Sequence, residues 1–321
     1  MVKRTMWAWS RVLIGVGIIG VLAWQLGTRA FVEGLGVIDA RAVIAALAIG
    51  FGTTVCSAAR WCLVARRLGL RLPLRSGVED YYRALFLNAV LPAGVLGDVH
   101  RAVRHGRQEG DVGRGVRAVM LERLAGQVVV VGVAVPVLLA RPAVVPERFH
   151  GAVVTSAAVV AAVALAVSAA AVVVGRRWTR SGSRWRRVSA ASLGDLRRGL
   201  LARDAWPGVA LLSALAFAGH LALFLVAART AGATAPAAQL LPLMVLTLLA
   251  MGLPVNVGGW GPREGVAALA FAAAGLSAAQ GLTTAVVYGV LALVASLPGA
   301  VVLVHPVIAR GGAKVPVGSP L

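Results

Sequence analysis

Charged residues and cysteines are scarce in this chain, and each scarcity excludes a class of protein. Charged residues make up only 14% of the sequence against 59% hydrophobic residues, which excludes an ordinary soluble domain. The two cysteines, Cys56 and Cys62, lie in one apolar segment and point to different sides of a helix, so they form neither a disulfide framework nor a zinc site. The Gly-x-Ser-x-Gly, Walker A and His-Glu-x-x-His patterns are also missing, which argues against ATP-driven chemistry within this chain.

Long uncharged runs are what the sequence has instead. Four windows contain no Asp, Glu, Lys or Arg: Ala42–Ala59, Phe149–Gly175, Ala205–Ala228 and Thr230–Pro262. Several of them exceed the roughly 20 apolar residues that cross a bilayer as a helix. We therefore predict an all-α polytopic transmembrane bundle of six to eight spans. It would form one membrane domain over residues 1–310, followed by a disordered tail over residues 311–321.

The positive charge is arranged as a membrane protein would arrange it. The net charge of +20 comes mainly from arginines in loops that flank apolar segments, as the positive-inside rule expects, and we expect no nucleic-acid partner. Arg176–Arg203 holds nine arginines against one aspartate and is the clearest cytoplasmic loop. The same rule places both termini on the cytoplasmic side of the cell membrane.

Two stretches that lie 162 residues apart carry the same break in otherwise apolar sequence. Leu91–Arg101 and Leu253–Glu264 both begin with Leu-Pro, with a glycine five residues after the proline and an arginine nine after it. Broken backbone cannot face lipid, because its N–H and C=O groups would lack partners. In transporters, matched broken segments in two halves mark the substrate site, so the pattern predicts an internal repeat and a functional site.

The first break also predicts a re-entrant hairpin. Tyr81–Leu96 is only about 16 residues long, short of the roughly 20 that cross a bilayer. Five arginines follow it, and they stay cytoplasmic only if the segment dips into the membrane and returns. For the part of the chain after Ala228, either three spans or one span plus a re-entrant segment would agree with a cytoplasmic C-terminus.

Three of the twelve acidic residues fall in or beside apolar segments: Asp98, Glu122 and Glu264. Ionisable groups inside a membrane are costly and are functional candidates with a partner. Arg123 and Arg263 adjoin two of them, but neighbours on a helix point about 100° apart, so we expect pairing across to other elements. We expect Glu122 to pair with Arg101 or Arg104, and Glu264 with an arginine of the other half. The alternative is that these groups are structural pairs or interfacial charges that reach water.

The second break favours an anion site. Pro262 suits the first turn of a helix, and the glycines before it free backbone N–H groups to face an anion at the positive helix end. Arg263 would clamp a phosphate there, and Arg101 would do so at the first break. Asp98 and His100 lack a third ligand at metal spacing, so we expect no metal and no cofactor. His220, alone in an apolar span, suits a hydrogen bond between helices better than a proton relay.

At these residues the chain resembles the lysylphosphatidylglycerol synthase transmembrane-region family, also described as flippase-like integral membrane proteins. The similar pieces are Asn88-x-x-Leu91-Pro92 with Gly97-Asp98-x-x-Arg101, then Leu121-Glu122-Arg123-Leu124, then Leu253-Pro254-x-x-x-Gly258-Gly259-x-Gly261-x-Arg263-Glu264. The resemblance implies a relative of the flippase half of the bacterial multiple-peptide-resistance factor, which is associated with moving aminoacylated phosphatidylglycerol between leaflets. The first motif commonly reads Gly-Gly-Asp, and Leu96 replaces its first glycine here. Without the family's soluble aminoacyl-transferase domain, this chain is not expected to make lysylphosphatidylglycerol.

The leading hypothesis is therefore a non-enzymatic translocase for an anionic phospholipid or a polyprenyl-phosphate-linked lipid, with membrane lipids as its partners. The predicted substrate-binding residues are Asn88, Pro92, Gly97, Asp98, Arg101, Glu122, Arg123, Asn256, Gly258, Gly259, Arg263 and Glu264. One alternative is a non-catalytic membrane partner of a cell-envelope glycosyltransferase or lipid-modifying complex, which would dock through Arg176–Arg203. The partner of this chain would then be an envelope-synthesis protein or a second copy of the chain in a homo-oligomer. Another alternative is a membrane-embedded lipid transferase or hydrolase that uses Asp98 or Glu264 as a base.

Overall fold

The structure is a computed structural model, and it describes residues 36–91, 95–140, 204–251 and 262–303. These residues form eight α-helices and no strand. In chain order they are α1 Ala40–Arg67, α2 Leu74–Val90, α3 Leu96–Gln108, α4 Val112–Leu139, α5 Trp206–Thr230, α6 Ala237–Met251, α7 Pro262–Ala273 and α8 Ala278–Ser296. The all-α prediction is confirmed.

Four of these helices are long and apolar enough to cross a membrane: α1, α4, α5 and α8, the last with an apolar helical stretch that continues to Leu303. They make the chain a helical membrane bundle. Residues 1–35 and the uncharged run Phe149–Gly175 lie outside the described residues, so the total of six to eight spans stays a prediction. Among the described residues after Ala228 there is one helix long enough to span, α8, and two shorter helices, α6 and α7. With residues 252–261 outside the described part, the choice between three spans and one span plus a re-entrant segment stays a prediction.

Helices α2 and α3 form an antiparallel hairpin. Asn88 near the end of α2 contacts Asp98 at the start of α3, whereas Asp80 contacts Arg104 further along both helices. Gly97 allows this close approach, because a Cβ on it would lie 2.1 Å from the carbonyl oxygen of Ala84. The chain therefore turns back at the first Leu-Pro break, as predicted, although residues 92–94 of the turn lie outside the described residues.

The second half repeats the order of the first: a long helix, two short ones, and a long one. Within α1–α4 the packed helix pairs are α1–α2, α1–α4, α2–α3 and α3–α4, and each has its counterpart within α5–α8. The contacts between the halves follow the same correspondence, in which each helix of the first half is matched with the helix four places later. The α1–α8 contact corresponds to α4–α5, and the α2–α8 contact corresponds to α4–α6. The predicted internal repeat is therefore visible in helix order and in packing.

The two halves have opposite orientations. Helices α1 and α5 pack along each other, with Arg60 against Ser213 and, further back along α1, Thr53 against Gly219. Rising residue numbers on α5 thus meet falling numbers on α1, so the helices are antiparallel. Helices α1 and α5 are the first helices of the two halves. Because they run in opposite directions, the second half crosses the bundle in the direction opposite to the first. The repeat is inverted, a common architecture of secondary transporters.

Helices α6 and α7 form a second antiparallel hairpin, because Gln239 near the start of α6 donates to the Ala274 carbonyl oxygen just after α7. The two hairpins lie at opposite ends of one span. Gly281, near the start of α8, packs against Ala267 of α7, where an added Cβ would lie 2.5 Å from the Ala267 carbonyl oxygen. Gly299, in the final turns of the same span, packs against the backbone of Tyr82 in α2. At 1.5 Å per residue these two contacts are about 27 Å apart, close to the thickness of a bilayer's hydrocarbon core of roughly 30 Å.

Candidate functional site

Glu122 of α4 is the centre of a buried ionic cluster. Its carboxylate is fully buried and accepts hydrogen bonds from Arg60 Nε at 3.0 Å, Arg101 Nη2 at 2.7 Å and Tyr81 Oη at 3.2 Å. Arg60 Nη2 donates to it as well. The predicted pairing with Arg101 is confirmed, whereas Arg104, the other predicted partner, binds Asp80 at 2.8 Å. Four helices, α1 to α4, thereby meet at one carboxylate.

Arg101 of α3 is held between two aromatic rings. Its guanidinium carbon lies 4.7 Å from the ring centre of Trp61 and 4.4 Å from that of Tyr81, in the range of cation–π attraction. Nε donates to Asp98 at 2.9 Å, and the side chain is fully buried. Nη1 is buried without a hydrogen-bond partner in the described structure. A buried guanidinium nitrogen without an acceptor is unusual, because buried donors are normally hydrogen-bonded.

Asp98 links this cluster to the hairpin turn. Asn88 Nδ2 donates to its carboxylate at 3.0 Å, and Arg123 Nη2 donates to the same oxygen. Asn88 Oδ1 in turn accepts from the backbone N–H of Gly97 at 2.7 Å, which satisfies a free donor in the first turn of α3. Burial acts to raise the pKa of the Asp98 carboxyl, but the guanidinium groups of Arg123 and Arg101 outweigh burial and hold this pKa below its ordinary value. Asp98 therefore stays ionised.

Arg60, Asp98, Arg101, Glu122 and Arg123 together make what we call the arginine cluster. Three guanidinium groups meet two carboxylates in it, which leaves a surplus of one positive charge. The inner members are buried, but the side chain of Arg123 is 47% exposed. Arg60 also donates to Ser213 Oγ of α5 at 2.9 Å, so the cluster reaches into the second half.

Arg263 and Glu264, at the start of α7, bind each other. Arg263 Nε donates to Glu264 Oε1 at 2.8 Å, and both residues are buried. The expectation that these adjacent residues would not pair with each other is wrong. The long, flexible side chain of Arg263 folds back along the first turn and spans the angle between neighbouring helix positions. Helix α7 does begin at Pro262, as predicted.

Tyr288 of α8 connects this pair to the middle of the bundle. The guanidinium carbon of Arg263 lies 5.4 Å from the ring centre of Tyr288, whose hydroxyl is 3.3 Å from His220 Nδ1 on α5. The predicted hydrogen bond between helices at His220 is therefore present. Ser213, seven residues before His220 on the same face of α5, accepts from Arg60. Polar side chains of α5 and α8 therefore lie between Arg263 and the arginine cluster.

His220 is exposed although it lies on the packed face of its helix. Ser213, Phe217 and Phe224 precede and follow it at helical spacing, and all three are buried. Arg123 of α4 likewise has a partly exposed side chain. Both polar side chains are therefore accessible within the part of the bundle that the structure describes.

Several predicted site residues fall outside the described part of the chain: Pro92, Asn256, Gly258 and Gly259. Whether the two Leu-Pro breaks share a cavity therefore stays a prediction. Four residues of the site were not predicted: Arg60, Trp61, Tyr81 and Tyr288. Arg60 had a signal, because it is an ionisable residue that directly follows the uncharged run Ala42–Ala59 and is followed by further apolar residues. Nothing in the sequence singles out the aromatic residues.

Comparison with protein families decides the identity. The model of the Lysylphosphatidylglycerol synthase TM region matches residues 9–299. The chain belongs to this family. Neither the comparison with curated proteins nor the comparison with solved structures gave a match. Membership makes the chain a membrane protein related to lipid, in a family whose shared region is usually a non-catalytic membrane domain.

Proposed function

We propose that this protein moves an anionic lipid between the leaflets of the cell membrane, by binding the phosphate of its headgroup inside the bundle. The observation that carries the proposal is the surplus positive charge of the arginine cluster in a bundle of apolar helices. An uncompensated charge in a low-dielectric interior is costly, and a phosphate anion would compensate it. Family membership supports a lipid as the source of that anion.

The depth of the cluster favours transport over binding at the surface. Arg123 comes six residues after Arg117, the last of the five arginines expected on the cytoplasmic side. At 1.5 Å per residue this places its Cα about 9 Å further along α4. A headgroup bound there has left its own interface and entered the bundle. The acyl or prenyl chains would remain in the bilayer.

Arg123 is the member of the cluster that would touch the headgroup. Nearly half of its side chain is exposed, and only one of its terminal nitrogens is engaged with Asp98. Guanidinium matches phosphate through two parallel hydrogen bonds, which a lysine ammonium cannot provide. Arg101, which the sequence analysis assigned to phosphate, is fully buried and instead holds Glu122 and Asp98 in place. Its free Nη1 is available to a phosphate oxygen that enters deeper.

Catalysis by Asp98 has little support. A general base needs a pKa near the working pH and a free oxygen. The pKa of Asp98 is lowered, and its two carboxylate oxygens accept from Arg101, Arg123 and Asn88. Such a carboxylate is a poor proton acceptor. The geometry therefore favours translocation over a membrane-embedded transferase.

Reconstitution tests the proposal directly. The full chain would be placed in phosphatidylcholine vesicles that contain a trace of fluorescently labelled phosphatidylglycerol. A translocase makes all of the label accessible to an impermeant quencher, and chromatography then recovers the lipid chemically unchanged. Label in the inner leaflet that stays protected at the rate of empty vesicles would refute the proposal for this lipid. A second trace of a labelled polyprenyl phosphate distinguishes between the two lipid classes.

A further inference from the structure

We infer a second headgroup-binding station, formed by His220, Arg263, Thr284 and Tyr288 and related to the arginine cluster by the inverted repeat. The inference rests on the proposed function. Its ligand is the same phosphate headgroup, approached from the opposite side of the membrane. The two hairpins lie about 27 Å apart along α8, so each half presents its polar residues toward a different leaflet.

The spacing of the repeat identifies the counterpart positions. The offset of 162 residues that relates the two Leu-Pro breaks takes Arg101 to Arg263. The next helix of each half is matched by its glycine contact, since Gly115 approaches the Ala102 carbonyl oxygen and Gly281 approaches that of Ala267. Glu122 is seven residues after Gly115, and Tyr288 is seven residues after Gly281. In the first half the arginine and the carboxylate are hydrogen-bonded across α3 and α4, and in the second half Arg263 lies against the Tyr288 ring across α7 and α8. The position of the cluster's central carboxylate is thus occupied by the neutral side chain of a tyrosine.

Thr284 points to a ligand independently of the repeat. The residue is fully buried, and its Oγ1 has no hydrogen-bond partner in the described structure. It is three residues after Gly281 and four before Tyr288, both of which contact α7, so it lies on the face of α8 that meets that helix. A buried hydroxyl without a partner is unfavourable unless something else binds it. A threonine hydroxyl can donate to a phosphate oxygen.

The neighbouring groups suit the same ligand. Arg263 places a guanidinium, which Glu264 also binds, beside Tyr288, and His220 supplies a ring nitrogen at the exposed end of the group. His220 lies seven residues after Ser213 on the same face of α5, and Ser213 accepts from Arg60 of the arginine cluster. A headgroup that leaves the arginine cluster along α5 therefore meets His220 before it meets Thr284. The two stations form consecutive binding sites along one polar path.

Two buried threonines make a matched test. Thr284→Val removes a hydroxyl that has no partner, whereas Thr247→Val removes one that donates to the Leu243 carbonyl oxygen at 2.7 Å. Both side chains are fully buried, and valine keeps their shape. We expect Thr284→Val to melt at or above the wild-type temperature in detergent and yet to move labelled phosphatidylglycerol about tenfold more slowly. Thr247→Val should transport at the wild-type rate, and Thr284→Ser, which keeps a hydroxyl, should retain most transport.

A binding measurement separates failure of the station from failure of the proposed function. Short-chain phosphatidylglycerol should raise the melting temperature of the wild type and of Thr247→Val by the same amount, and that of Thr284→Val by less. Equal shifts in all three proteins would overturn the station whether or not any of them transports lipid. A reduced shift in Thr284→Val, in a wild-type protein that moves no label, would support the station and refute translocation. Normal transport by Thr284→Val would overturn the station and leave the proposed function intact.

Discussion

Arg101 and Glu122 join the hairpin helix α3 to the span α4 through a 2.7 Å hydrogen bond, and neither side chain is exposed. The bond places one charge of each sign where neither can reach water. Glu122 also binds Arg60, so two guanidinium groups share a single carboxylate. The stability of the first half and, in the proposed function, its affinity for an anion therefore depend on the same residue.

Glu122→Gln should destabilise the protein strongly. It would leave Arg60 and Arg101 buried with Asp98 as the remaining carboxylate of the cluster, and breaking a buried ion pair from one side costs about 3 kcal/mol. Glu79→Gln is the matched control, because Glu79 is 44% exposed and pairs with Arg75 at the surface. That change should cost less than about 1 kcal/mol. Thermal unfolding in detergent measures both, and equal melting temperatures for the two variants would contradict the central role of Glu122.

Arg123→Ala should abolish lipid movement while the protein remains folded. The side chain is 47% exposed and ends the cluster, so its removal leaves the bonds of Glu122 to Arg60 and Arg101 in place. Arg123→Lys should recover only part of the rate, since a lysine cannot form the two parallel bonds of a guanidinium. Arg75→Ala, at a side chain that is 93% exposed, should transport as the wild type does. Full transport by Arg123→Ala in the vesicle assay would remove this residue from the headgroup path.

Arg263 and Glu264 should behave as a coupled pair. Arg263→Gln leaves the buried carboxylate of Glu264 without its neighbouring guanidinium, so we expect a loss of about 3 kcal/mol in stability. The double variant Arg263→Gln with Glu264→Gln should recover much of that loss, because the buried carboxylate and its neighbouring guanidinium are removed together. It should still transport poorly, since the positive charge beside Tyr288 is gone. A double-mutant cycle of melting temperatures measures the coupling, and strict additivity would show that the pair contributes nothing.

The hairpin could be predicted from the sequence because its cause is local. A segment of about 16 apolar residues that ends in Leu-Pro and is followed by arginines has few alternatives in a membrane. The pairing of Glu122 with Arg101 was also predictable, since a buried carboxylate needs a cation and the motif supplied one. Arg60 was missed because it lies within a span, where its partner on α4 is 62 positions away.

The inverted orientation of the halves could not be derived from the Leu-Pro motifs. The motifs show that two segments are alike but not which way each enters the bundle. That direction is set by the contact of α1 with α5, where Arg60 meets Ser213 at a separation of 153 positions. The pairing of Arg263 with Glu264 was missed for a different reason. The angle of about 100° between neighbouring helix positions describes only the directions of the Cβ atoms. A long side chain such as arginine can rotate about its own bonds and still reach the adjacent residue.

A disulfide between α1 and α5 should report the inverted arrangement. A Cβ built on Gly219 would lie 3.7 Å from the Cβ of Thr53, within the range that disulfides need. Thr53→Cys with Gly219→Cys, in a chain whose Cys56 and Cys62 are replaced by alanine, should therefore lose both free thiols on mild oxidation. Thr53→Cys with Gly208→Cys is the control, because Gly208 packs against Leu63 instead.

Antiparallel packing predicts a bond in the first pair and none in the second. Mass spectrometry of the linked peptides identifies the bond, and a thiol count gives its yield. The opposite result would be a disulfide in the Thr53→Cys/Gly208→Cys variant and free thiols in the Thr53→Cys/Gly219→Cys variant. It would mean that α5 packs differently against α1. The inverted repeat and the second headgroup station would then both be wrong. If the first pair does close, the linked protein should also move lipid more slowly than its reduced form. Helix α1 of the first half packs directly against α5 of the second half. Any movement of one half against the other must therefore change that contact.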